Sequence, residues 1–186
     1  MIVTKNRPLE DVQKLINLGF FLFGENRVQE AKSKFQEIQS NYKLHLIGPL
    51  QSNKVKIALK TFDTIQTLNT KKLINEIDKE FNKNKIQRTK DFYIQINIGE
   101  EKQKSGVNEG DLEDLFNYAK NKNLNIKGLM CIPPFSGEPS YFFKKMVKIR
   151  DQIDVNLNLS MGMSNDYIDA IKYSSNMVRI GSKIFI

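Results

Sequence analysis

Few side chains in this 186-residue chain can do more than pack or hydrate, and those few follow short apolar runs. Lys5 comes directly after Ile2-Val3-Thr4. It is either a surface lysine at a strand end or, in a drier pocket that disfavours the ammonium form, an amine free to form an imine. Glu25 and Asn26 follow a second run, either as polar groups of a site or as caps of a helix that begins near Arg27. His45, the one histidine, lies inside a third run and is either a satisfied core residue or a ligand. Ser164 and Asp166 precede a helical segment, where capping and anion binding are compatible. Arg179 sits in the last apolar run, and a guanidinium in such a setting needs a partner or a ligand. Gly181-Ser182 just beyond it offers close backbone approach plus a hydroxyl, which suits a phosphate.

The same inventory excludes much. A single histidine rules out a multi-histidine zinc or iron site. The single cysteine, Cys131, rules out a disulfide framework and a cysteine-rich cluster, and it reads as a small core residue. Gly99 to Gly106 (GEEKQKSG) lacks P-loop spacing.

These residues are punctuation in a longer rhythm. Apolar runs at Met1–Thr4, Phe20–Gly24, Leu44–Ile47, Asp63–Leu68, Phe92–Ile98, Ile126–Ile132, Leu157–Met161 and Met177–Ile180 read as eight strands. Between them, apolar residues recur at helical spacing: Leu9, Val12, Leu15 and Ile16; Val28, Ala31, Phe35 and Ile38; Val55, Ala58 and Leu59; Leu73, Ile74, Ile77 and Phe81; Leu112, Leu115, Phe116 and Ala119; Phe142, Met146, Ile149 and Ile153; Ile168 and Ile171. Strict strand–helix alternation implies a parallel sheet, and eight units match a closed (β/α)8 barrel. The chain is short for that architecture, so an open doubly wound sheet is the alternative. In such a barrel the chemistry collects at the carboxyl ends of the strands, where Lys5, Asn26, Ser164, Arg179, Gly181 and Ser182 fall; His45 and Met130 lie within strands.

Composition bounds the partners. Lys and Arg number 29 against 21 Asp and Glu, a formal net charge of +8. The lysines are interleaved with acids, and the densest stretch, Lys83 to Lys90, carries no aromatic residue and reads as a solvated connection. Basic charge alone is a weak footprint for nucleic acid, so none is expected as a partner. No run approaches a membrane span, and no secretory signal is visible. The expectation is a soluble, cytoplasmic protein, with residues 1–186 forming a single domain.

With those residues in hand, the chain resembles the pyridoxal phosphate homeostasis protein family, a single-domain relative of the alanine racemase barrel. The matching stretches are VTKNRP (Val3–Pro8), FGENRVQEA (Phe23–Ala31), LHLIGPLQSNK (Leu44–Lys54), KSG (Lys104–Gly106), GLMCIPP (Gly128–Pro134), SMGMSNDY (Ser160–Tyr167) and VRIGSKIF (Val178–Phe185). The resemblance implies an alanine racemase-like TIM-type barrel. It implies that Lys5 holds pyridoxal 5'-phosphate (PLP) as a Schiff base, and that Asn26 stands on the rim. It places His45 and Met130 in the pocket wall, and Ser164, Gly181 and Ser182 on the phosphate, with Ser182 replacing a more usual threonine. Arg179 matches the arginine that faces the pyridine nitrogen. Members usually carry a helix before the first strand. Here Met1 begins almost at that strand, so the expectation is a barrel lacking the N-terminal helix, because the form is short or its N-terminus truncated.

The implied function is PLP binding in vitamin B6 homeostasis without classical turnover, with PLP and PLP-dependent enzymes as partners and a monomeric state. Racemases of this barrel class use a second, C-terminal β-domain to bring an opposing tyrosine from a partner subunit. The few residues beyond Arg179-Ile180-Gly181 leave no room for one. A small PLP-dependent amino-acid racemase or lyase is the enzymatic alternative. A barrel that binds a phosphate ligand or a protein without PLP is the third.

Overall fold

The structure is a computed structural model and describes residues 1–83 and 87–185. Eight parallel strands hydrogen-bond in sequence order: β1 Ile2–Val3, β2 Leu22–Glu25, β3 Lys43–Leu46, β4 Thr64–Leu68, β5 Asp91–Ile96, β6 Ile126–Cys131, β7 Asn158–Met163 and β8 Met177–Arg179. The ring then closes. Val3 N donates to Ile180 O at 2.8 Å and Ile180 N donates to Met1 O at 3.0 Å, so no sheet edge is left between β8 and β1. The closed barrel displaces the doubly wound alternative.

Seven helices connect the strands: α1 Leu9–Asn17, α2 Val28–Phe35, α3 Val55–Thr61, α4 Lys71–Lys83, α5 Leu112–Asn121, α6 Pro139–Ile153 and α7 Tyr167–Lys172. Each of the first six lays an apolar stripe against the outward side chains of the strands, and the core is that annulus. Phe23, Leu44, Ile65, Phe92, Leu129 and Leu159 from the strands meet Val12, Ala31, Leu59, Ile77, Leu115 and Phe143 from the helices, all deeply buried.

Two expectations need correction. α7 forms, but Ile168 and Ile171, whose spacing announced it, are 57% and 54% exposed, and Ala170 is its buried residue. That six-residue helix packs on β7, β8 and α6 through its other face. The stretch read as a solvated connection is anchored on its far side. Arg88 pairs with Asp63 at 2.9 Å and stacks over Tyr42, and Thr89 is buried with its hydroxyl on Phe62 O at 2.7 Å. Residues 84–86 of that stretch lie outside the described residues.

Candidate functional site at the carboxyl rim

Strand register decides which side chains look into the barrel. Val3 pairs with Gly24, Gly24 with His45 and His45 with Thr64, and these share the inner face. Thr4 extends the ladder by donating its N–H to Gly24 O at 3.1 Å. By alternation Thr4 points outward and Lys5 comes next on the inner side, at the rim.

The backbone around Lys5 is held from outside. Lys34 of α2 is buried and donates to Thr4 O at 2.8 Å, to Glu25 Oε1 at 2.8 Å and to Glu30 Oε1 at 3.2 Å. Thr4 Oγ1 also donates to Glu25 Oε1, at 2.7 Å. Glu30 accepts the Asn6 N–H at 2.7 Å, and Asn6 adopts φ 58°, a left-handed conformation that asparagine tolerates. The residues on both sides of Lys5 are thus clamped. Lys5 itself is exposed, with no partner among the described residues. Burial raises the Glu25 carboxyl above its ordinary range, against the opposing bonds from Lys34 and Thr4, and its Oε2 has no hydrogen-bond partner among the described residues. Neither Glu25 nor Asn26 caps α2, nor do Ser164 and Asp166 cap α7 through their side chains. Sequence reasoning missed Thr4, Glu30 and Lys34. The signal was a lysine three residues after Ala31 on the buried face of α2.

Next to β1 on the rim, Gly181 N donates to Ser164 Oγ at 3.3 Å. A Cβ on Gly181 would lie 3.4 Å from Val3, so this turn abuts the strand that leads to Lys5. Ser182 is exposed beside it. Asn26 is half-buried on the same rim, and its backbone approaches Gly48 so closely that a Cβ there would sit 2.2 Å from Asn26 O.

Arg179 lies inside the barrel at 4% exposure. Nη1 donates to Ser160 O at 2.7 Å and to Ser160 Oγ at 2.9 Å, and Nη2 donates to Cys131 O at 2.7 Å. These bonds use three of its five N–H groups. No carboxylate pairs with it among the described residues, and burial lowers its pKa. Met130 is fully buried and in register with Ser160, so it shares the inner face beside Arg179. Cys131 is a core residue, its thiol pushed up to about 12 by burial.

His45 departs from the expected arrangement. Its Nδ1 lies 2.9 Å from Gln66 Nε2, and its ring lines a cavity of about 400 Å³ at the amino-terminal mouth of the barrel, opposite the rim. It is connected to Arg179 through Gln66 and Ser160. The strand length explains this: His45 precedes the end of β3, whereas Lys5 follows the end of β1. A second cavity of about 700 Å³ opens on the rim loop after β5, lined by residues such as Asn97, Lys104 and Gly106. None of the rim groups above lines it, so it does not define the site. What the rim brings together is an unpaired amine on a fixed backbone, a hydroxyl–amide pair, and a guanidinium with donors to spare. That set fits a ligand carrying both an aldehyde and a phosphate.

Comparison with known proteins agrees. The alanine racemase N-terminal domain model matches residues 3–186. A pyridoxal phosphate homeostasis protein of Aquifex aeolicus is 37% identical, over 98% of this chain and 83% of its own length. One from Pasteurella multocida is 37% identical, over 100% of this chain and 84% of its own. Among solved structures, PipY of Synechococcus elongatus without PLP superposes with a TM-score of 0.90 at 28% identity, covering 100% of this chain and 92% of PipY. PipY with PLP bound gives 0.86. An alanine racemase of Clostridium difficile, at 14% identity and a TM-score of 0.77, shares the fold.

Proposed function

Since the chain belongs to the pyridoxal phosphate homeostasis protein family, built on the alanine racemase N-terminal domain, we propose that it binds PLP at the carboxyl rim and serves intracellular vitamin B6 homeostasis without substrate turnover. The observation that carries this reading is the free Lys5 amine on a backbone clamped by Lys34 and Glu30, on the strand that the Ser164–Gly181 turn adjoins. Lys5 is the group that would hold the cofactor's aldehyde. Ser164, Gly181 and Ser182 would hold its phosphate, Met130 and Asn26 would bound the ring, and Arg179 would face its nitrogen. His45 supports Arg179 from behind through Ser160 and Gln66.

Bound PLP supplies an electron sink, which works best with a proton kept on the ring nitrogen. A permanently charged guanidinium disfavours that proton, so Arg179 weakens the sink. The amine of Lys5 and the donors of the rim then serve retention and release. The reading places the protein in the cytoplasm as a monomeric, single-domain carrier whose partners are PLP-dependent enzymes. The shared racemase fold makes turnover the competing reading.

A PLP titration followed by borohydride reduction and peptide mass spectrometry tests the site. The phosphopyridoxyl mass should fall on the Lys5 peptide, and Lys5→Ala should lose the cofactor's bound absorbance. Losing one hydroxyl in Ser164→Ala should weaken PLP about tenfold to a hundredfold, the range for a charge-assisted bond. A label on Lys54 or Lys104 in the intact protein, or equal affinity for pyridoxal and PLP, overturns the assignment. Incubation with L-alanine in deuterated water should give little exchange at Cα. Racemisation at about 1–1000 per second would make it an enzyme.

A further inference from the structure

The amino-terminal mouth of the barrel, about 400 Å³ and far from the rim, is lined by Lys43, His45, Asp63, Thr64, Lys90, Asp91, Tyr93, Lys127 and Asn158. Its floor is a one-way hydrogen-bond chain. Arg179 can only donate, and does so to Ser160 Oγ. Ser160 in turn donates its hydroxyl to Gln66 Oε1 at 2.7 Å. Gln66 Nε2 lies 3.1 Å from Met177 Sδ, an acceptor, which fixes the amide's orientation. Gln66 Nε2 therefore donates to His45 Nδ1. Burial holds His45 neutral, its pKa lowered to about 4, so the ring's one proton sits on Nε2. That N–H has no protein partner among the described residues, and His45 lines the cavity. Tyr93, also buried, lines the same cavity and carries a phenol O–H that can donate. Gly128 leaves the space its ring fills, because a Cβ there would come 2.5 Å from Tyr93 Cε1.

The charges at the opening are unbalanced. Asp63 is spent on Arg88, the Leu44 N–H and Lys43, whereas Asp91 accepts only from the uncharged Asn125 amide at 2.7 Å, so one carboxylate stands against the cations of the opening. Lys90 and Lys127 are exposed and unpartnered among the described residues. Two buried neutral donors beneath two free cations make a site for an anion with several oxygens. We propose that the amino-terminal mouth is a second binding site, taking a small oxyanion, phosphate or carboxylate, on His45 Nε2–H, Tyr93, Lys90 and Lys127.

His45 is the only histidine, so its imidazole signals report this site alone. The experiment titrates the PLP-loaded, ¹⁵N-labelled protein with inorganic phosphate, and separately with succinate, in chloride buffer. PLP occupies the rim, so phosphate cannot act there. The His45 ring signals should move saturably with at least one of the two probes. Phosphate alone marks the site as one for phosphate compounds, and movement with both extends it to carboxylates. The double variant Lys90→Ala/Lys127→Ala should weaken that response about tenfold while the PLP absorbance stays unchanged. No movement of the His45 signals with either probe overturns the proposal, as does an equal response in the double variant.

Discussion

At the scale of single residues, the feature with most leverage is the buried Lys34 ammonium. It compensates Glu25, and together they hold Thr4 and the start of the Lys5 turn. Removing one partner of such a pair leaves an unpaired buried charge, at a cost of about 3–5 kcal/mol. Lys34→Met should therefore lower the urea-unfolding free energy by about that amount near pH 7.5. The pH sign follows from Glu25. Its folded pKa is raised above the unfolded value, so the folded state takes up the proton first, and the loss should shrink as pH falls through the folded value. A loss under about 1 kcal/mol, or one that is the same at pH 7.5 and pH 5, would show that the clamp is not an electrostatic unit.

At the scale of elements, the rim is assembled by turns that approach each other at backbone distance. Ile47 N donates to Glu25 O at 2.9 Å, drawing the turn after β3 against the turn after β2. Gly48 is the consequence, for a Cβ there would meet Asn26 O at 2.2 Å and Asn26 Cα at 2.7 Å. Backbone atoms cannot swing aside as a flexible side chain can. Gly48→Ala should cost about 1–3 kcal/mol in urea unfolding and weaken PLP binding in the same protein, because Asn26 is displaced. Gly110→Ala is the control, with nothing within 4 Å of the added carbon. Its stability should stay within about 0.5 kcal/mol of the parent. Similar effects at both glycines would detach the Gly48 contact from the site.

At the scale of the whole molecule, the interior polar chain from Arg179 to His45 links β8, β7, β4 and β3 across the barrel. Its last member makes global stability depend on pH. His45 titrates near its ordinary value of 6.5 when unfolded and near 4 when folded. The folded state thus favours the neutral ring. The contribution is fully present above about pH 6.5 and is lost as pH falls towards 4, amounting to about 3 kcal/mol. Subtracting the pH profile of His45→Gln from that of the parent isolates it. A difference profile flat between pH 7 and pH 4 would contradict the buried, neutral imidazole. The seam between the last and first strands is held at the same scale. Arg7 stacks 4.4 Å over the Phe185 ring, next to the backbone bonds that close the barrel.

Sequence alone determined the eight-fold alternation, because each buried strand and each amphipathic helix announces itself locally through its apolar period. It also singled out Lys5, Ser164, Arg179, Gly181 and Ser182, since a polar residue directly after an apolar run is out of place unless something meets it. It could not tell which end of the barrel His45 serves, nor that Glu25 answers Lys34 rather than capping a helix. Both depend on register and closure, which bring Gln66 within reach of His45, 21 positions away, and Ser160 within reach of Gln66, 94 positions away. Local periodicity carries no information about such pairings. The exposed face of α7 follows the same logic: spacing predicts a stripe, but only the packing of neighbouring elements decides whether it is covered.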